Sequence, residues 1–143
     1  MRPGRRGIAL VSLVAALFLA GCGEAPSDEH VIDEPATIEE IEGQEVARIT
    51  LTQRAAERLD IQTELVESAG SGLVVPSAAV FVDPEGGYWV YTNPEPLVFI
   101  RQRISIDREE ADRAFLTDGP PSGTKIVTVG VPELYGTEYE VGH

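Results

Sequence analysis

One cysteine, one tryptophan and one methionine occur in 143 residues, and neither histidine falls between Val46 and Gly142. A single cysteine excludes any disulfide within the chain, so the fold has to rest on core packing. Without a histidine or cysteine between those positions, a Ser-His-Asp or Cys-His arrangement has no base there. Carboxylate pairs exist, such as Asp83 with Glu85 and Glu109 with Asp112, but both fall in turn-like segments that read as solvated, where nothing would raise a pKa. No phosphate-binding loop, dinucleotide fingerprint or internal repeat is present; Gly86-Gly87 reads as a hairpin turn. The expected chain is not an enzyme and carries no catalytic residue, metal or cofactor. Positive charge is also scarce, 11 Lys and Arg against 24 Asp and Glu, a net charge of −13. Such a chain repels phosphate backbones, so nucleic acid is excluded as a partner.

What is present begins with Arg2, Arg5 and Arg6, an apolar run from Ile8 to Ala20, and Leu19-Ala20-Gly21-Cys22. The run is shorter than the roughly 20 residues of a membrane span, and small residues before the cysteine suit a peptidase. Residues 1–21 therefore read as a lipoprotein signal peptide, and Cys22 as the lipidation site. The competing reading is an uncleaved anchor in which Cys22 is incidental. Two acyl chains on one cysteine would hold the mature protein to the cell membrane on its extracytoplasmic side, tethered and not spanning. Removing the signal takes away three arginines and no acid, which leaves 8 basic residues against 24 acidic ones.

Between Gly23 and Glu45 nine acidic residues occur without a Lys or Arg, punctuated by Pro26 and Pro35. Residues 22–45 read as an acidic, disordered tether. His30 beside Asp28, Glu29 and Asp33 resembles a metal cluster only superficially, because the surrounding segment has too few apolar residues to fix a coordination shell.

From Val46 the pattern changes to short apolar runs separated by turns, which predicts a mainly β domain over residues 46–142. The expected architecture is a small antiparallel β-barrel or sheet roll with one short α-helix. Ala47 to Leu51 alternates as a strand; Thr52 can cap a helix over Gln53 to Leu59; Gln62 to Val66 returns as a strand. Further strands fall at Leu73 to Val75, Ala79 to Val82, Tyr88 to Tyr91, Leu97 to Ile106 and Ala114 to Leu116. In Leu97 to Ile106, Val98, Ile100, Ile104 and Ile106 share one face, while Arg101, Arg103 and Ser105 take a wet one. Lys125 to Val131 is apolar on both faces and belongs near the centre of the sheet. The C-terminal ELYGTEYEVGH is expected to form a final strand.

These residues carry a resemblance. VARITLTQRAAERLDIQTELV, from Val46 to Val66, resembles the segment that opens many periplasmic adaptor subunits, or membrane fusion proteins, of efflux pumps. Asp60 stands where their pattern has glycine, a residue better suited to a left-handed helix end. LVVPSAAVFVDPEGGYWVYT, VFIRQRISI and FLTDGPPSGTKIVTVG resemble, in order, three later segments of the adaptors' membrane-proximal domain. Full adaptors insert a lipoyl-like domain, a helical hairpin and a barrel between the first segment and the others; here only Ser68 to Gly72 stands there. The methionines of copper-exporting adaptors are absent. The resemblance implies a truncated, lipid-anchored membrane-proximal domain acting as accessory to a membrane transporter, an inner-membrane permease. It also places the strand ending near Val66 beside the one starting near Leu73, with Glu64 close to Val74. Without the helical hairpin, a monomer or dimer is expected.

Partner contact is assigned to Trp89, Tyr91, Arg101 and Arg103. Aromatics on both faces of one strand leave at least one exposed, and two arginines make a basic spot on an acidic domain. The plainer alternatives are aromatics used as core and rim, and arginines balanced by nearby glutamates. A solute- or cation-binding lipoprotein is the alternative function.

Overall fold

The computed structural model describes residues 34–140, which make ten strands and two α-helices. Cys22, the signal segment and His30 lie outside the described residues. Among the described residues no helix is long and apolar enough to cross a membrane.

The first element corrects the tether. Ala36–Glu40 is a strand, β1, antiparallel to β2, Ala47–Leu51, in register from Ala36 opposite Leu51 to Glu40 opposite Ala47. Charge density suggested self-repulsion across the whole acidic segment, but Ala36 and Ile38 alternate with polar residues, and Ala36 is buried against the core. Glu39 and Glu40 remain in water at the strand's end, where charge discourages pairing with another chain.

Thr52 caps α1, Gln53–Arg58, its hydroxyl accepting from the Ala55 N–H at 3.2 Å, a bond worth about 1 kcal/mol. The helix ends as its sequence implies. Asp60 adopts a left-handed φ of 51°, its N–H donates to the Glu57 carbonyl at 3.2 Å, and the Ile61 N–H donates to that of Ala56 at 3.1 Å. That pair of reversed bonds is the motif that normally selects glycine at this position.

The next strands are β3, Gln62–Leu65; β4, Glu67–Ala69; β5, Gly72–Pro76; and β6, Phe81–Val82, which follows a short 3₁₀ turn at Ser77–Ala79. After them come β7, Tyr88–Glu95; β8, Val98–Glu110; β9, Arg113–Asp118; and β10, Lys125–Val129. Sheet order runs β3-β10-β7-β8-β9-β5-β4. Because β3 and β4 are adjacent in sequence across Val66, the circuit starts and finishes on one bent strand, and the antiparallel sheet nearly closes as a small barrel. Val66 secures the seam, donating to the Thr124 carbonyl at 2.9 Å and accepting from the Gly123 N–H at 2.8 Å. Strand β8 turns the corner: its first half pairs with β2 and β7, its second with β9, and register shifts between Ser105 and Arg108 bend it between the two.

The hairpin around Gly70 and Ser71 joins the two adaptor-like segments within this sheet. Glu67, not Glu64, lies opposite Val74; Glu64 instead faces Ile126. The strand expected to run through Val66 bends there, and each half takes a different partner.

Two cores lie on opposite faces of the sheet. Val66, Val75, Val90, Ile104, Leu116 and Ile126 fill the barrel interior. Ile49, Leu51, Tyr91, Phe99, Val127 and Leu134 form the second, under the helices. This explains a strand apolar on both faces: Ile126 points into one core and Val127 into the other, and both are fully buried. It also corrects the wet face of β8, since Phe99 and Arg101 are covered while Arg103 and Ser105 are exposed.

The covering element is α2, Val131–Glu140, where a final strand was expected. Val131, Leu134, Tyr135 and Glu138 fall on one helical face, and Pro132 suits a first turn. Gly130 reverses the chain into it at φ 92°, and a Cβ there would collide with Ile61 Cδ1.

Candidate functional site

The assigned partner-contact residues come together where α2 crosses β7 and β8. Trp89, Tyr91 and Phe99 project to the helix-covered side, and Arg101 lies directly opposite Tyr91 in the ladder, with Arg103 opposite Trp89. The structure buries three of the four: Tyr91 is inaccessible, Trp89 is 8% exposed and Arg101 9%. Arg103 is exposed. The aromatic that strand β7 presents to solvent is Tyr88, 44% exposed beside Val82.

Arg101 is no free basic spot. Its Nε donates to Glu138 Oε1 at 3.0 Å and its Nη2 to the Glu45 carbonyl at 2.6 Å. Glu138 also accepts from the Tyr91 hydroxyl at 2.6 Å and the Ala47 N–H at 3.3 Å. One carboxylate thus ties α2 to β2, β7 and β8. Burial would lower the Arg101 pKa, but the Glu138 carboxylate outweighs it and holds the guanidinium charged. Burial and the same carboxylate push the Tyr91 hydroxyl far above its ordinary range. Phe81 stacks on Tyr91 at 5.1 Å and meets Tyr135 edge-on at 5.4 Å.

Asp83 corrects another expectation. The turn it occupies is not a solvated one for its side chain, which is 9% exposed and accepts from the Gly87 N–H at 2.7 Å and the Trp89 indole N–H at 2.6 Å. Burial alone would raise its pKa, yet these donors, the Glu85 N–H and the Arg103 charge hold it below the usual carboxylate value. It is a fixed anion that orients Trp89, and it has no raised pKa for acid catalysis. Gly87 permits this approach, because a Cβ there would sit 3.0 Å from both Asp83 Oδ2 and Trp89 Nε1.

Above this network opens a cavity of about 340 Å³ lined by Glu45, Asp83, Glu85, Trp89, Arg101, Arg103 and Tyr139. The Arg101 guanidinium covers the Trp89 ring at 4.6 Å and approaches that of Tyr139 at 5.7 Å; Arg103 stands 5.7 Å from Trp89. Among the described residues the carboxylates of Glu45 and Glu85 take no hydrogen bond or ion pair, and Arg103 takes no ion pair. No group of three or more His, Cys, Asp or Glu among the described residues is placed to hold a metal.

Sequence reasoning missed Glu45, Glu138 and Tyr139, and set Asp83 aside as a solvated turn residue. Glu138 carried a usable signal, the helical spacing with Val131, Leu134 and Tyr135. Glu45 carried none, because its place depends on β1 pairing with β2. No family model, curated protein or solved structure matches the chain.

Proposed function

We propose that this chain is a lipid-anchored extracytoplasmic accessory domain, comparable to the membrane-proximal domain of an efflux adaptor, that contacts a membrane transporter. The observation that carries the reading is the β4–β5 hairpin, in which Glu67 faces Val74 and only Gly70 and Ser71 make the turn. Four segments that resemble separated parts of an adaptor are thereby continuous in one nearly closed sheet, as expected if the intervening adaptor domains were excised. The lipobox at Cys22 supplies the anchor, and the inserted parts that would build a tunnel have no counterpart between Val66 and Leu73.

The test is purification of the full-length chain from mildly solubilised membranes of its own host. Recovery of a multi-spanning permease with the wild-type chain, and its loss with Cys22→Ser, is the expected result. Wild-type chain recovered with no membrane protein, or carrying a bound solute instead, would overturn the proposal in favour of a binding lipoprotein.

A further inference from the structure

The geometry points to one end of the sheet as the surface that lies against a zwitterionic lipid bilayer, with Leu65 and the prolines of two neighbouring loops at the headgroups. This deepens the proposed function by giving the anchored domain an orientation, and it rests on that reading for the lipid at Cys22.

Register fixes which residues share that end. Ala36 lies opposite Leu51, whose N–H donates to the Leu97 carbonyl at 2.9 Å. Val98 lies opposite Glu95 on β7, Thr92 opposite Ile126 on β10, and Lys125 opposite Leu65 on β3. Residues 93–96 and 123–125 line one cavity, so the β7–β8 and β9–β10 loops meet there. Strand β1 therefore enters the fold at this end, and Pro35 follows Cys22 by thirteen residues. Covalent geometry limits that stretch to about 45 Å, little more than the width of a compact domain of this length. Turning the opposite end to the lipid would require the stretch to run the length of the domain nearly fully extended.

The surface chemistry of the two ends differs in the same sense. At the entry end Leu65 is 53% exposed, and Pro35, Pro94, Pro96 and Pro121 are exposed. Glu95 is paired there with Arg48 at 3.3 Å, while Lys125, the only lysine, stands against Glu34 and Glu64. The opposite end carries Glu40, Glu42 and Glu45 in and beside the β1–β2 connection and Glu85 in the β6–β7 turn. None of those four is in an ion pair among the described residues. Bringing that end to the headgroups would strip water from several carboxylates, whereas a leucine and a lysine suit the interface. The acids outnumber the lysine even at the entry end, so anionic lipid offers no added attraction and the zwitterionic surface is the one that fits.

The lipidated full-length chain, purified from host membranes, is reconstituted in phosphatidylcholine vesicles that contain a lipid with a diazirine in its headgroup. After irradiation, lipid adducts are mapped by peptide mass. Adducts are expected at Leu65 and within 94–97 and 121–125, and far fewer within 40–46 and 84–87. Leu65→Glu should lower the labelling of 121–125 about three-fold, while Glu109→Gln should leave it unchanged. Equal labelling of both ends, heavier labelling of 40–46, or an unchanged pattern in Leu65→Glu would overturn the orientation. A chain that floats with the vesicles but labels in one of those ways removes only this inference; a chain that does not float removes the anchor and the proposed function with it.

Discussion

The Nε of Arg101 lies 3.0 Å from Oε1 of Glu138, a buried contact between residues 37 apart in sequence. Their side chains are 9% and 6% exposed, so water screens the pair little and the loss of either partner strands a charge. Glu138→Ala is expected to cost about 3 kcal/mol, read as a lower unfolding midpoint. Replacing both partners with apolar residues, Arg101→Met with Glu138→Leu, should restore only part of that loss, because the stranded charge is removed while the buried Tyr91 hydroxyl still lacks its acceptor. A Glu138→Ala protein within about 1 kcal/mol of wild type would show that the pair does not hold α2.

The Tyr91 hydroxyl gives the fold an alkaline limit. Its pKa is raised in the folded state by burial and by Glu138, whereas in the unfolded chain it titrates near about 10. The folded form therefore keeps a proton that the unfolded form loses. Stability from this group is complete below about pH 10 and falls above it, by up to about 1.4 kcal/mol per pH unit. Denaturant midpoints measured from pH 8.5 to 11.5 should show the fall, and Tyr91→Phe should flatten it to what Tyr135, also raised by burial, contributes. An unchanged alkaline slope in Tyr91→Phe would refute the assignment.

Asp60 tests the helix end. With φ at 51° the position tolerates aspartate but not a branched side chain. Asp60→Val should lose about 1–2 kcal/mol, whereas Asp60→Gly, the residue of the adaptor pattern, should lose none. Equal destabilisation by both would mean that the side-chain bond from Gln62 to Asp60, 2.9 Å long, matters more than the backbone.

The sequence disclosed most of the barrel because each strand is short, bounded by turn residues and patterned by its own faces. Thr52 as a cap and the doubly apolar Ile126-Val127 strand were local signals, and both appear in the structure; the left-handed helix end at Asp60 followed only from the glycine of the adaptor pattern. Two elements were hidden for different reasons. In β1 the acids outnumber the apolar residues, and only the pairing of Ala36 with Leu51 reveals the strand. In α2, Gly136, Thr137 and two tyrosines lower helix propensity, and the tertiary ties of Leu134 and Glu138 override it. The site was half legible. Residue types on β7 and β8 suggested Trp89 and Arg101, but their partners Asp83, Glu45 and Glu138 come from other elements, and burial followed from those long-range contacts.

Cys22→Ser isolates the anchor. The variant should accumulate with residues 1–21 still attached, or leave the membrane fraction, while wild type yields an N-terminal peptide beginning at an acylated Cys22. A Cys22→Ser chain that matures normally and remains membrane-bound would exclude lipidation at this position.

The accessory role is tested most directly by photo-crosslinking in intact cells, with a photoreactive residue placed in turn at the exposed positions 85, 88, 109 and 125 of the full-length chain. At least one position is expected to yield a light-dependent adduct with a multi-spanning permease subunit, lost when Cys22 is also replaced. Efficient labelling at all four positions with no membrane-spanning protein among the adducts would contradict a transporter-associated role.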